Sequence, residues 1–484
     1  MGKGARTKAA NAEINKEKKV KAQQEAAVKK RNSLIVRSCT AVVAIILVCA
    51  IVFSGWNMIS MNNGSKMRNV VAAETENLSI DGAMFSYFIN YNYLNYVNQY
   101  GEYMSLLGLN PSVSLKSQSY SNTQTWFDYF ASVAEENAAQ YLMLNEAAMA
   151  DGMTLSEEEL EIIARKAKTV DPESFGRGLN ADDVRRVLEF STLSANYYQH
   201  KLQDLAPTAE EIEAAYKADP LKYQGVDYYS YTLVYQKDGE TSSVEKMSKE
   251  EAEKLANELA DCKTNEEFLD WVVNYTKETV EDASQESLDA IPTNLLTVGD
   301  KYIADNEVSE WLFDAKVNDT YVQHGENNGY YVVYSLKTEA YRHDEATVNV
   351  RHVLVNTEEE AQNILDTYLA GDKTEEAFGL LAFEYSVDSG SMGTYGLYEN
   401  VYQGQMVEEF DAWCFDEARV VGDTAIVKTE FGYHVMLFCG EGMTRWMSEV
   451  SNSLVNAEYA TYYEELVIKY PVTFHEEAYS KIPA

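Results

Sequence analysis

The strongest constraint on this chain is that it repeats itself. One copy opens on "YSYTLV" (Tyr229–Val234) and the other on "VRHVLV" (Val350–Val355). "SKEEAEKLANELADCKTNEEFLDWV" then answers "TEEEAQNILDTYLAGDKTEEAFGLLA". "NEVSEWLFDAKVNDTYV" answers "EEFDAWCFDEARVVGDTAIV", and "NGYYVVYS" answers "FGYHVMLF". A unit repeated at this length builds the same supersecondary structure twice. Each copy reads as strand, helix, short helix, insertion, helix, strand. The first also carries an acidic insertion, "TKETVEDASQESLDAIPTN". Alignment of the last strands pairs Gly432 with Gly329, Tyr433 with Tyr330, His434 with Tyr331 and Val435 with Val332. At the opposite end His352 pairs with Tyr231. The second copy therefore holds two histidines where the first holds tyrosines.

The repeats occupy about half of a chain of 484 residues, so further domains are expected. Ahead of them the pattern is helical. Phe85, Ile89, Tyr93, Tyr96 and Tyr100 share one helical face. That stripe either packs as core or grips unfolded chains, since aromatic surfaces bind promiscuously. "TWFDYFASVAEENAAQYLMLNEAAMADG" reads as a helix stopped at Gly152. "TLSEEELEIIARKAK" opens on a capping box, with Ser156 as cap and Glu159 three residues on. "NADDVRRVLEFSTLSANYYQHKLQDLAP" and "TAEEIEAAYKADPLKY" complete the region. A helix over "TRWMSEVSNSLVNAEYATYYEELVIKY" closes the chain, with Trp446, Val450 and Leu454 on one face. It is expected to fold back onto the first helical domain.

Charge divides the chain. Residues 1–37 hold eleven Lys/Arg and three acids, a net +8, which leaves −45 on the rest of a chain whose total is −37. No charge occurs from Ser38 to Ser65, and "CTAVVAIILVCAIVFSGW" is long enough to cross a hydrocarbon core. The basic flank places the N-terminus in the cytoplasm and the acidic bulk outside. An uncleaved anchor over 38–61 fits better than a cleaved signal peptide, because the basic region is long and no clear cleavage site follows. Nucleic acid is excluded as a partner, since the acidic bulk repels phosphate. The five cysteines, Cys39, Cys49, Cys262, Cys414 and Cys439, are scattered. They form neither a disulfide framework nor a metal-ligand pattern. No GxSxG elbow occurs, and Ser386 alone stands near the histidines, so serine hydrolysis finds no support.

The second copy concentrates titratable groups. Besides His352 and His434 it has Asp388 in the loop "YSVDSGSMGTYG", and Met406 and Phe410 four apart in "GQMVEEF". Each has a plain reading: strand histidines are usually satisfied core groups, and Met406 and Phe410 read equally as core. In this order, however, "RHVLV … YSVDSGS … GQMVEEF … TEFGYH" resembles the parvulin class of peptidyl-prolyl isomerases over about a hundred residues. The layout is similar to that of the PrsA-type extracytoplasmic foldases and SurA-type periplasmic chaperones.

The resemblance implies an α+β fold. A transmembrane helix (38–61) would follow a basic tail (1–37). A helical chaperone-like domain (77–222) would precede a degenerate parvulin-like domain (223–341) and a parvulin domain (346–442), each a small antiparallel sheet flanked by helices. A C-terminal helix (443–484) would return to the chaperone domain. The resemblance makes His352, Asp388 and His434 the catalytic set, with the two histidines bonded across the sheet. It makes Met406, Phe410, Phe431, Thr429 and Gln405 the substrate-binding set. It implies no cofactor and no metal, unfolded proline-containing exported chains as clients, and leaves room for a homodimer. The family's "GGDLG" loop reads "MGTYG" here, and "LYENVYQ" appears as added loop residues. The altered "MGTYG" loop favours an alternative, a non-catalytic holdase whose parvulin domains only bind peptide.

Overall fold

The computed structural model describes residues 64–236 and 247–483. The expected tail (1–37) and anchor (38–61) lie outside them. Among the described residues no helix is long and apolar enough to cross a membrane. The described chain forms two compact units. One joins residues 64–206, Thr347–Gly442 and 453–483; the other joins Pro207–Ala346 and Met443–Asn452.

In the first unit a single helical turn (Gly64–Arg68) leads into strands β1 (Val71–Glu74) and β2 (Ser79–Asp81). Four helices follow: α1 (Gly82–Tyr100), α2 (Trp126–Ala150), α3 (Glu157–Thr169) and α4 (Ala181–Asp204). Their starts are written locally. Asp81 caps α1, and capping boxes open α2 (Thr125/Asp128), α3 (Ser156/Glu159) and α4 (Asn180/Asp183). Each cap satisfies otherwise orphaned backbone donors and contributes about 1 kcal/mol. The aromatic stripe of α1 is core. Phe85 and Ile89 are buried, and Tyr93 and Tyr96 stand edge-on to Phe130, each with ring centres 5.6 Å away.

The second unit holds the first repeat. Its elements are β3 (Gln224–Val234), α5 (Lys249–Ala260), α6 (Asn265–Thr279), β4 (Leu296–Lys301), α7 (Glu307–Asp314), β5 (Thr320–Gly325) and β6 (Tyr330–Leu336). A two-residue β7 (Tyr341–Arg342) pairs with the start of β3. The second repeat, in the first unit, runs β8 (Thr347–Val355), α8 (Glu358–Ala370), α9 (Glu375–Tyr385), β9 (Leu397–Tyr402), α10 (Glu408–Cys414), β10 (Thr424–Thr429) and β11 (Gly432–Glu441). Strand order is β4-β3-β6-β5 in one sheet and β10-β11-β8-β9 in the other, all antiparallel. The two repeats thus share one topology. In each, a helix pair covers one sheet face and a single short helix the other. Helix α11 (Arg445–Lys469) buries Leu466 against Leu144 and Tyr197 of the helical core, and β12 (Thr473–Phe474) pairs with β1.

Three sequence expectations change. "LYENVYQ" is not an added loop: it forms edge strand β9, with Tyr398 opposite Val350 and Val401 opposite Val348. Each repeat also gains a strand, β5 or β10, that the motif order did not register. The third change is the alignment. In the second repeat Thr429 pairs with Gly432, closing a two-residue hairpin loop; in the first, Gly325 pairs with Tyr330 and the loop holds four residues. Matching the glycines therefore shifts the strand by one. Strand pairing places Val332 at the position of His434 and Ser230 at that of His352, because Leu336 pairs with Tyr228 as Phe438 does with Val350. A one-residue slip turns every side chain to the opposite face. Tyr331 accordingly packs under α5 and α6, whereas Phe438 and Met436 on the His434 face pack with α10.

Candidate functional site

The site forms on the α10 face of the second sheet. Strands β8 and β11 pair so that Met436 opposes His352 and Leu354 opposes His434. The two histidines are diagonal neighbours on one face, within reach of each other. Their rings lie 5.2 Å apart, and His352 Nδ1 is 3.0 Å from His434 Nδ1. Both are buried, at 2% and 5% exposure.

The loop between α9 and β9 brings the carboxylate. Val387 N donates to Leu354 O, and His352 N donates to Gly396 O, which binds the loop along β8. Gly396 has φ +78°, and a Cβ there would stand 2.4 Å from His352 O, so only glycine fits. Asp388 Oδ2 lies 3.0 Å from His352 Nε2 and accepts from Ser391 Oγ at 2.5 Å and from Tyr398 Oη at 3.0 Å. At the far side His434 Nε2 is 2.9 Å from Thr429 Oγ1.

These contacts fix one end of the proton order. A carboxylate only accepts, so His352 Nε2 carries the hydrogen toward Asp388. With His352 charged, its Nδ1 donates to His434 Nδ1 and His434 Nε2 donates to Thr429 Oγ1; with His352 neutral, the direction of both bonds reverses. Burial works to raise the Asp388 carboxyl, but the hydrogen bond and charge of His352, with Ser391 and Gly390, hold it well below the usual carboxylate range. Burial, aided by the charge on His352, lowers His434 to about 4 against the pull of Asp388. His434 is therefore neutral at physiological pH.

Phe410 floors the network. It is 3% exposed and stands edge-on to His352 and His434, with ring centres 5.5 and 5.4 Å away. Met406 packs against the same apolar cluster as Phe410, Trp413 and Met436. Two expected residues are not brought in. Phe431 sits on the hairpin turn at 62% exposure and is outside the cluster. Gln405 is exposed, and its side chain accepts from Tyr402 N, closing a local turn. Ser386 is structural, accepting from the amides of Leu354 and Asp388.

Sequence reasoning missed Ser391 and Tyr398. Tyr398 also stacks on His352, ring centres 5.1 Å apart, and burial followed by the charge of Asp388 drives its phenol up. Its strand leaves little mark in the sequence: Asn400 has φ 55° and the β8–β9 register slips there, so the alternation is broken. Among the described residues no cluster of His, Cys, Asp and Glu is arranged to hold a metal.

Residues 333–438 match the family model of the PPIC-type PPIASE domain (Rotamase_3). The chain is 38% identical over 94 residues to Cbf2 of Campylobacter jejuni, covering 19% of this chain and 34% of that protein. It is 37% identical over 97 residues to the foldase protein PrsA of Halalkalibacterium halodurans, covering 19% and 26%. The match thus spans 34% and 26% of the lengths of those two relatives. Among solved structures it is similar to the solution structure of NmPin, the parvulin of Nitrosopumilus maritimus. The identity is 34%, with 20% of this chain and 97% of that one covered and a TM-score of 0.18.

Proposed function

We propose that this chain, which carries a PPIC-type parvulin domain, is an extracytoplasmic foldase that isomerises X–Pro bonds in exported proteins. Amide resonance imposes a barrier of ~18–20 kcal/mol, and the unaided reaction takes tens to hundreds of seconds. No bond to the enzyme is needed. The site has to seat the proline ring and favour the twisted amide over both planar forms. Phe410 and Met406 supply the apolar seat. Twisting ends conjugation and shifts electron density between carbonyl and nitrogen, which a fixed polar array stabilises better than mobile water. The Asp388–His352–His434–Thr429 chain is such an array.

The observation carrying this reading is that continuous hydrogen-bond chain, buried over Phe410. The helical domain (77–222), closed by the C-terminal helix, would hold unfolded proline-containing clients. The −45 outside residues 1–37 favours basic ones. The tail and apolar run over 1–61 support a single membrane anchor with the rest outside.

A second reading is a holdase. It is favoured by the closure of the site, in which His352, His434 and Phe410 are all 5% exposed or less. The full chain tested on a proline tetrapeptide, and on refolding limited by proline isomerisation, separates the two. An isomerase accelerates the slow phase at substoichiometric amounts. A holdase suppresses aggregation near equimolar amounts and leaves that phase unchanged, and this result would sink the isomerase reading.

A further inference from the structure

The loop that holds Asp388 is fastened at its other end to the helical part of its own unit. We propose that Tyr395 is a positioning residue through which helices α3 and α4 set the geometry of the His352–Asp388 pair. This rests on the isomerase reading above, and it makes activity dependent on the helical domain.

Tyr395 is one of three positions, with Met392 and Thr394, at which "MGTYG" departs from "GGDLG". Its hydroxyl donates to the Glu159 carboxylate and lies 2.8 Å from Asn196 Oδ1. Glu159 is prepared for this contact. Its other oxygen accepts from Ser156 N at 2.6 Å in the capping box of α3, and Asn196 Nδ2 on α4 donates at 2.7 Å to the oxygen that Tyr395 meets. Glu159 is 8% exposed. Burial would raise its carboxyl, but the hydrogen bonds from Tyr395, Ser156 and Asn196 hold it below its ordinary value. The Tyr395 backbone is left-handed at φ 56°, a conformation tyrosine keeps only when its surroundings demand it.

The path from Tyr395 to the site is short. The carbonyl of the next residue, Gly396, accepts from His352 N at 2.8 Å, and its amide donates to Ser391 O at 2.7 Å. Ser391 Oγ then meets both Asp388 Oδ2 and His352 Nε2, at 2.5 and 3.0 Å. Other links join α3 to α9: Arg165 to Glu384, and Lys166 to Phe383 O. Those hold the domain in place but do not reach the loop. Tyr395 does.

The test uses the full chain with two variants. Tyr395→Phe keeps the ring and removes the hydroxyl. Asn196→Ala acts from α4 and touches neither imidazole. Isomerisation of a proline tetrapeptide is measured alongside the imidazole nitrogen resonances of His352, with circular dichroism as a check on folding. Both variants should lose about tenfold in kcat with KM nearly unchanged, since small displacements of positioned groups cost this much. Both should shift the His352 resonances, and the double variant should be no worse than the worse single. An unchanged kcat in Tyr395→Phe together with unchanged His352 resonances would overturn the proposal. If wild type shows no isomerase activity, the isomerase reading fails. The His352 resonances then decide the Tyr395 link alone: a shift in both variants upholds it, and no shift overturns it.

Discussion

The two sheets have one strand order and differ in what stands on one face. In the second repeat that face holds His352 and His434 over Phe410; in the first, the same positions are Ser230 and Val332, and α7 presents Val308. Between the helix pair and the edge strand that follows it (β9, or β4 in the first repeat) the second repeat has the Asp388 loop. The first has the short helices Gln285–Asp289 and Ile291–Leu295. The opposite face is apolar under a helix pair in both. The lesson is that a sheet has two nearly independent faces. One can keep the fold while the other gains or loses a polar network, because alternate residues along a strand do not share surroundings.

The sharpest test of that comparison is to write the first repeat's residues into the second. His352→Ser with His434→Val should cut tetrapeptide isomerisation on the order of 100-fold, the cost of removing a preorganised polar array. Helix content should be unchanged by circular dichroism. Retained activity would break the comparison outright. Phe410→Val tests the floor alone. It should raise KM about tenfold and lower stability by about 2 kcal/mol in urea unfolding, as a large-to-small change in a packed cluster does.

Acid probes the network without mutation. His434 is lowered to about 4, so the folded chain binds that proton less tightly than the unfolded chain, whose histidine titrates near its ordinary value of 6.5. Stability from this group is complete above that ordinary value and is lost as pH falls toward the folded one. Asp388, held low, contributes stability that goes only at still lower pH. The urea midpoint should therefore drop between pH 7.5 and about 4.5 by more in wild type than in His434→Val. Equal drops would show that His434 is not held neutral by burial. The smallest expected effect is the reverse graft. Ser230→His with Val332→His should create no isomerase activity, since among the described residues nothing like the Asp388 loop lies over that sheet edge. Any gain measured with the second site disabled would mean that the histidine pair suffices.

Much of this was legible in the sequence, for physical reasons that can be named. Caps depend on three or four consecutive residues, so the Ser156–Glu159 box could be read directly. His352, Asp388 and His434 sit in motifs whose order is local. The register was not legible, because it depends on hairpin loop length, and two added residues around Gly329 moved the glycine landmark. Tyr398 was hidden because edge strand β9 is short and rich in polar residues. Contacts such as Tyr395 with Glu159, separated by 236 positions, leave no mark on either local pattern.

The pairing of β12 with β1 has a consequence in time. Ala73 opposes Phe474, His475 Nε2 lies 3.0 Å from Glu74 across 401 positions, and Tyr479 stacks on Phe85 at 4.9 Å. Synthesis at roughly 5–20 residues per second puts roughly 20–80 s between the appearance of the two partners. During that interval Phe85 and its neighbours lack their cover. The unit that is read here as a guardian of unfinished chains must itself spend the start of its life as one.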